Sequence, residues 1–227
     1  MTVIFEDKTT SAGLQWTGLS NTLSTSWVDF NNDSLPDLWI SPELYNPRST
    51  RQPRLYLNQG NGSFTDITAQ ITTPIDGDSH GTVFADYDND GDQDLAIVTG
   101  AKVATKAAPS HFFVNENGVL VNRAQELGVE LWEGEGRMPI FFDQNNDGKL
   151  DLIHINAVRA DGLAPTTLFQ QGTNGFTDVN SLVGLNVNNA NPSSAQITDL
   201  FGNGKQDLIF FGGEGPTNRS ILVKAYE

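Results

Sequence analysis

Four short acidic segments hold the residues best suited to chemistry: DFNNDSLPDL from Asp29, DYDNDGDQDL from Asp86, DQNNDGKLDL from Asp143 and DLFGNGKQDL from Asp199. Each sets carboxylate or amide side chains at alternate positions around a tight bend, so that hard oxygen donors converge on one point. The second segment is the fullest, with Asp86, Asp88, Asp90, Asp92 and Asp94 in alternation and Gly91 in sixth place, where a residue with a Cβ would be strained. Side-chain oxygens at positions one, three and five, a main-chain carbonyl at seven and a carboxylate at nine can together wrap a single Ca²⁺.

The same reading extends to the other copies. The expected donors are Asp29, Asn31, Asp33, Leu35 and Asp37 in the first loop, and Asp143, Asn145, Asp147, Lys149 and Asp151 in the third. The fourth offers Asp199, Asn203, Lys205 and Asp207, with Phe201 at its third position. Leu35, Lys149 and Lys205 enter through their carbonyls. Three calcium sites are therefore expected, with a fourth weak or absent. An EF-hand would need a bidentate Glu at position twelve, where these loops carry Ile40, Ile97, His154 and Phe210. Zinc would call for His or Cys ligands, and magnesium for fewer carboxylates and more water. Asp, Asn and Gly also form turns without any ion. Four copies in register, each keeping the ninth-position Asp, favour the metal.

The elements that position these loops follow from their spacing. The first Asp residues recur at intervals of 57, 57 and 56 residues. Two further markers keep the same beat: FEDKT, FTDIT, LVNRA and FTDVN, and then LYLNQG, FFVNENG, LFQQGTNG and ILVKAYE. The runs LWI, LAIV, LIHI and LIFF after the loops alternate with segments rich in Gly, Asn and Pro, which predicts short strands, and no window offers a long amphipathic helix. Gln59-Gly60-Asn61-Gly62 reads as a hairpin turn. About four strands per repeat make the signature of a propeller blade.

We therefore expect an all-β chain, residues 1–227 as one β-propeller domain of four four-stranded blades. The chain opens on what is elsewhere a fourth strand and closes on what is elsewhere a third, so its two ends are expected to complete one blade and close the ring. A four-blade segment of a larger or dimeric ring has the same phase.

The pattern D-x-[DN]-x-[DN]-G-x-x-D-L between strands, with LYLN-like and FTDIT-like segments, resembles the FG-GAP or VCBS repeat family, which includes integrin α-subunit propellers and several propeller lectins. The resemblance covers essentially the whole chain. It implies a propeller with structural Ca²⁺ on one face and binding surfaces made by loops of the other. That family commonly builds seven-blade rings, a count from which four repeats depart.

With 28 acidic against 13 basic residues and a formal net charge of −15, the chain suits neither nucleic acid nor an anionic membrane. Cysteine is absent, which removes disulfides, thiolate metal sites and a cysteine nucleophile. No run is long and apolar enough to span a bilayer, and MTVIFEDKTT lacks the features of a signal peptide. Millimolar extracellular calcium would suit such loops and points to an extracellular, periplasmic or cell-surface setting.

For function, the irregular segments 41–54, 100–111, 156–165 and 212–220 follow the second strand of each repeat and are expected on the face opposite the acidic loops. They carry Tyr45, Arg48, Arg51, Lys102, Lys106, Arg159 and Arg219, a cationic, aromatic-bearing set fitting an anionic, sugar or protein partner. Trp16 and Trp132 are candidates for stacking on a sugar ring, whereas Trp27 and Trp39 read as core residues between blades and His154 as a packed strand residue. A binding module of lectin-like or adhesion type, monomeric or homodimeric, is the leading expectation. Its rival is a lyase or cyclase using His80 and Arg137 at the channel mouth. A third reading is an architectural part of a larger assembly.

Overall fold

The computed structural model describes residues 5–15, 22–42, 52–75, 78–100, 108–132, 134–157, 165–187, 191–213 and 221–226. Among these described residues, fifteen strands form four antiparallel sheets in chain order. The first sheet holds β1 (Thr22–Val28), β2 (Asp37–Pro42), β3 (Arg54–Asn58) and β4 (Phe64–Asp66). The second holds β5 (Asp78–Ala85), β6 (Asp94–Gly100), β7 (His111–Asn115) and β8 (Leu120–Asn122). The third holds β9 (Gly136–Phe142), β10 (Asp151–Asn156), β11 (Thr167–Gly172) and β12 (Gly175–Asp178). The fourth holds β13 (Pro192–Thr198), β14 (Asp207–Gly213) and β15 (Ile221–Tyr226). The only described α-helices are the single turns α1 (Ala124–Leu127) and α2 (Asn180–Val183), each following a fourth strand.

Every acidic loop joins the first strand of a sheet to its second, and register is held from loop to loop: Val28 pairs with Asp37, Ala85 with Asp94, Phe142 with Asp151 and Thr198 with Asp207. The second strands of the two inner sheets, β6 and β10, are buried on both faces, as their unbroken apolar runs require. Alternate residues point to opposite faces of a sheet, so neighbouring positions serve different cores. In β6, Leu95 and Ile97 pack with Trp39, Leu55 and Phe113 toward the first sheet, while Ala96 packs with Phe112, Leu152 and Phe169 toward the third. A third core, built on Ile153, Ile155, Leu168, Ala195, Leu208 and Phe210, joins the third sheet to the fourth.

Three cores thus link four sheets in a row. The first strands pack in sequence, β1 on β5, β5 on β9 and β9 on β13, and among the described residues no comparable packing joins β13 to β1. Among the described residues the expected closure of the ring is therefore not seen: the fourth sheet has three described strands, and Phe5, the start of the described N-terminal segment, lies outside any described strand and is 96% exposed.

Three strand side chains separate what a pattern can show from what it cannot. Trp39 is fully buried as expected, but Trp27 is 61% exposed, in correction of its assignment to the core. The cause is strand alternation: Val28 takes the side facing the second sheet, as do Ser24 and Ser26, which meet Thr82, and Trp27 is turned to the other face, near Phe64. His154 is packed edge-on against Phe169 with neither ring nitrogen bonded. Burial holds its pKa down to about 3.

An unfolded chain takes up a proton at His154 near pH 6.5, whereas the folded chain resists protonation to about pH 3. Stability supplied by the neutral ring is therefore complete above pH 6.5 and is lost as pH falls toward 3. Replacing it with the residue of the two preceding copies, His154→Ile, is expected to flatten that acid-side decline. Melting temperatures of both proteins from pH 7 to pH 4 check this, and parallel curves would contradict it.

Candidate metal centre

All four acidic loops share one hydrogen-bonded frame. The first Asp receives the main-chain N–H groups of the fifth and sixth residues on its two oxygens: Asp33 and Ser34 on Asp29, Asp90 and Gly91 on Asp86, Asp147 and Gly148 on Asp143, and Asn203 and Gly204 on Asp199. The fifth side chain in turn accepts the N–H of the seventh, at 2.8 Å from Leu35 and from Asp92. The bend needs left-handed backbone twice. Its sixth residue is Ser34, Gly91, Gly148 or Gly204 with φ of 68, 97, 84 and 82°, and its fourth is Asn32, Asn89, Asn146 or Gly202 with φ of 58, 61, 57 and 69°. The glycine requirement at position six was legible in the sequence. The matching requirement at position four was missed, although three asparagines and one glycine there are the residues that tolerate it.

The ninth Asp anchors the loop to the sheet. Asp37, Asp94, Asp151 and Asp207 are all buried. One oxygen of each accepts the N–H of the second loop residue, Phe30, Tyr87, Gln144 or Leu200, at 2.7–3.1 Å. In three copies the other oxygen accepts an N–H at the end of the third strand: Asn58 on Asp37, Asn115 on Asp94 and Gln171 on Asp151. Asp207 Oδ1 is buried without a partner among the described residues. Burial raises the pKa of Asp37 and of Asp151, and it pushes Asp94 up to about 7, with the charges of Asp88 and Asp90 adding to the effect.

In the second loop one carboxylate oxygen from each of Asp86, Asp88 and Asp94 lies within 4.8 Å of the other two. Two donors on a common Ca²⁺, each at about 2.3–2.6 Å, stand no more than about 5 Å apart, so these three carboxylates fit one ion. Bare, each pair repels by roughly 3 kcal/mol at an effective dielectric near 20. Burial and the Asp90 charge raise the Asp88 pKa as well. Asp90 is engaged with the Asp92 N–H, and the Asp92 carboxylate turns to the first loop, where Asn32 Nδ2 donates to it and to the Gly91 carbonyl. In the first and third loops Asn31 and Asn145 donate their amide N–H to Asp33 and Asp147 at 2.9 and 3.0 Å. Phe201 is 57% exposed at the third position of the fourth loop and brings no donor there.

At the far end of the strands, His80 Nδ1 lies 3.0 Å from Arg137 Nη1 and 2.9 Å from the Gly136 carbonyl, with Glu135 3.5 Å from Arg137. The imidazole lies where a Cβ on Gly100 would be. Trp132 is 58% exposed and its indole N–H donates to Glu130 at 2.9 Å. Trp16, Tyr45, Arg48, Arg51, Lys102, Lys106, Arg159 and Arg219 lie outside the described residues.

Residues 29–97 match the family model of the FG-GAP-like repeat. The matched segment runs from the first acidic loop into the strand after the second and spans one full period of the pattern. No curated protein matches the chain. No helix among the described residues is long and apolar enough to cross a membrane.

Ser34 is the one serine held in the left-handed conformation that glycine supplies elsewhere in this position. Ser34→Gly is expected to raise stability by roughly 1 kcal/mol, read as a higher denaturation midpoint. A lower midpoint would show that the hydroxyl has a role the backbone account omits.

Proposed function

We propose that this chain is a calcium-stabilised, propeller-type binding module of the protein-interaction kind. The observation that carries this reading is the convergence of Asp86, Asp88 and Asp94 within one ion's reach, in a loop held by the same hydrogen bonds in every repeat. The residues that would hold calcium are those at positions one, three, five and nine of the first three loops, with the seventh carbonyl. The ion would supply structural charge neutralisation. Asp86 and Asp94 already have N–H donors on their oxygens, which fixes their direction, and the buried ninth Asp carries the effect of the ion to the third strand.

The fourth loop, with Phe201 in place of a donor, is proposed as weak or vacant. Recognition is proposed for the opposite end of the strands, where the long connections leave a rigid sheet. An extracellular setting suits this, since free calcium there is high enough to saturate sites of modest affinity. A sugar-binding form of the same reading rests on Trp132, whose ring stays exposed while its N–H is tied to Glu130.

Calcium titration by calorimetry, with melting curves in calcium and in EDTA, tests the metal. At a hundredfold excess over the dissociation constant one site contributes about 2.7 kcal/mol, a rise of roughly 5–10 °C for a chain of this size. Identical melts and no heat of binding would end the calcium reading. Asp88→Ala, exposed and outside the buried anchor, is expected to weaken calcium at the second loop at least tenfold while raising the melt in EDTA, because it removes carboxylate repulsion from the bare loop. A glycan screen with wild type and Trp132→Ala separates the sugar-binding form from protein recognition.

A further inference from the structure

Two side chains tie neighbouring acidic loops to one another. Asn32, the fourth residue of the first loop, directs both hydrogens of its amide at the second loop: Nδ2 lies 3.0 Å from the Gly91 carbonyl and 3.1 Å from Asp92 Oδ1. Gly91 and Asp92 are the sixth and seventh residues of that loop, so the contact falls on the bend itself and on the residue whose carbonyl is a proposed donor. In its own loop Asn32 stands between Asn31 and Asp33, the proposed donors of the third and fifth positions. Asn89 and Asn146 hold the same left-handed place in the second and third loops, and among the described residues neither bridges to a neighbouring loop.

The second and third loops are joined by another route. At the ends of their third strands, Asn58 and Asn115 return their side-chain N–H groups to their own loops, at the Pro36 and Gln93 carbonyls, 3.0 and 3.3 Å away. Gln171 holds the same place in the third sheet, since its main-chain N–H donates to Asp151 as those of Asn58 and Asn115 donate to Asp37 and Asp94. Its side chain is longer by a methylene and reaches the preceding sheet instead, where Nε2 donates to the Tyr87 carbonyl at 3.1 Å. Tyr87 is the second residue of the second loop, and its own N–H donates to Asp94. A run of hydrogen bonds therefore leads from the ninth Asp of the third loop to the ninth Asp of the second: Asp151 to Gln171, Gln171 to Tyr87 and Tyr87 to Asp94.

Each bridge is aligned only while the loops on both of its sides keep their bent form. The bare second loop resists that form, because Asp86, Asp88 and Asp94 crowd one point with like charge. Holding one loop bent fixes the bridging partner of the next, and the next loop then loses less conformational entropy when it binds in turn. We propose that calcium binding at the first three loops is positively cooperative, with Asn32 the positioning residue between the first loop and the second and Gln171 that between the second and the third. This rests on the calcium reading above and adds to it a linkage between the sites. By reciprocity, each loop raises its neighbour's affinity by the same factor as the neighbour raises its own. The second loop, bridged on both sides, is the one through which the other two communicate.

The test is a calcium titration of the intact chain followed site by site in amide NMR spectra, using the N–H groups of Ser34, Gly91 and Gly148, each of which donates to the first Asp of its own loop. In wild type the three are expected to shift on one common curve, steeper than independent sites allow. Asn32→Gly keeps a residue suited to left-handed backbone, as Gly202 is in the fourth loop, and removes the first bridge. The Ser34 curve is then expected to separate from the other two, its midpoint rising about fivefold. Gln171→Asn shortens the second bridge and is expected to separate Gly148 in the same way, while Ser34 and Gly91 stay together. Independent curves in wild type, or variants that leave all three together, overturn the proposal while the calcium reading stands. A variant that shifts all three equally has acted on the fold as a whole and counts against its bridge. No response at any of the three amides ends the calcium reading and this one with it. The variants break different junctions, so each decides its own if the other does not fold.

Discussion

The buried carboxylate at the ninth position of each acidic loop is the constraint on which this molecule turns. Asp37, Asp94 and Asp151 each bind the start of their own loop with one oxygen and the end of the third strand with the other. A charged group is costly to bury, and these are tolerated because each has two N–H donors in fixed positions. The cost shows in the raised pKa of Asp94, which burial drives to about 7 despite those donors. The proposed calcium would oppose that cost from outside the core, so metal and strand register act on the same side chain. Asp207 has only half of this arrangement, as its second oxygen is unpartnered among the described residues, and the same repeat has Phe201 where a donor belongs.

Around these anchors the packing among the described residues joins neighbouring sheets. Each sheet is too thin to bury its own second strand, so it borrows the sheets on either side. Leu95, Ala96 and Ile97 are all fully buried although they point alternately in opposite directions. The loops follow the sheets into register, and Asn32 bridges the first loop to Asp92 and Gly91 of the second.

Much of this was legible in the sequence, for reasons that can be named. A loop that needs donors at alternate positions leaves a pattern that survives in four copies, and strands buried on both faces leave short unbroken apolar runs. The left-handed fourth position was missed because Asn32, Asn89 and Asn146 also read as donors or turn formers, and only backbone angles separate those roles. Trp27 was misplaced because alternation says that two faces differ but not which face meets a neighbour. Closure of the ring was not readable from phase, since a strand missing at one end and spare at the other is equally consistent with a single chain and with several. The cationic residues assigned to recognition fall outside the described residues, so no geometry bears on them.

The division of the interior into three separate cores has a consequence for how the molecule comes apart. Because Ala96 and Ile97 answer to different neighbours, disturbance travels along the row one junction at a time, and the parity of a residue decides which way it goes. An end sheet is held through one described core and an inner sheet through two. Opening should therefore begin at the ends and work inward, as in a linear nearest-neighbour system, with the amides of β6 and β10 among the last to exchange with solvent.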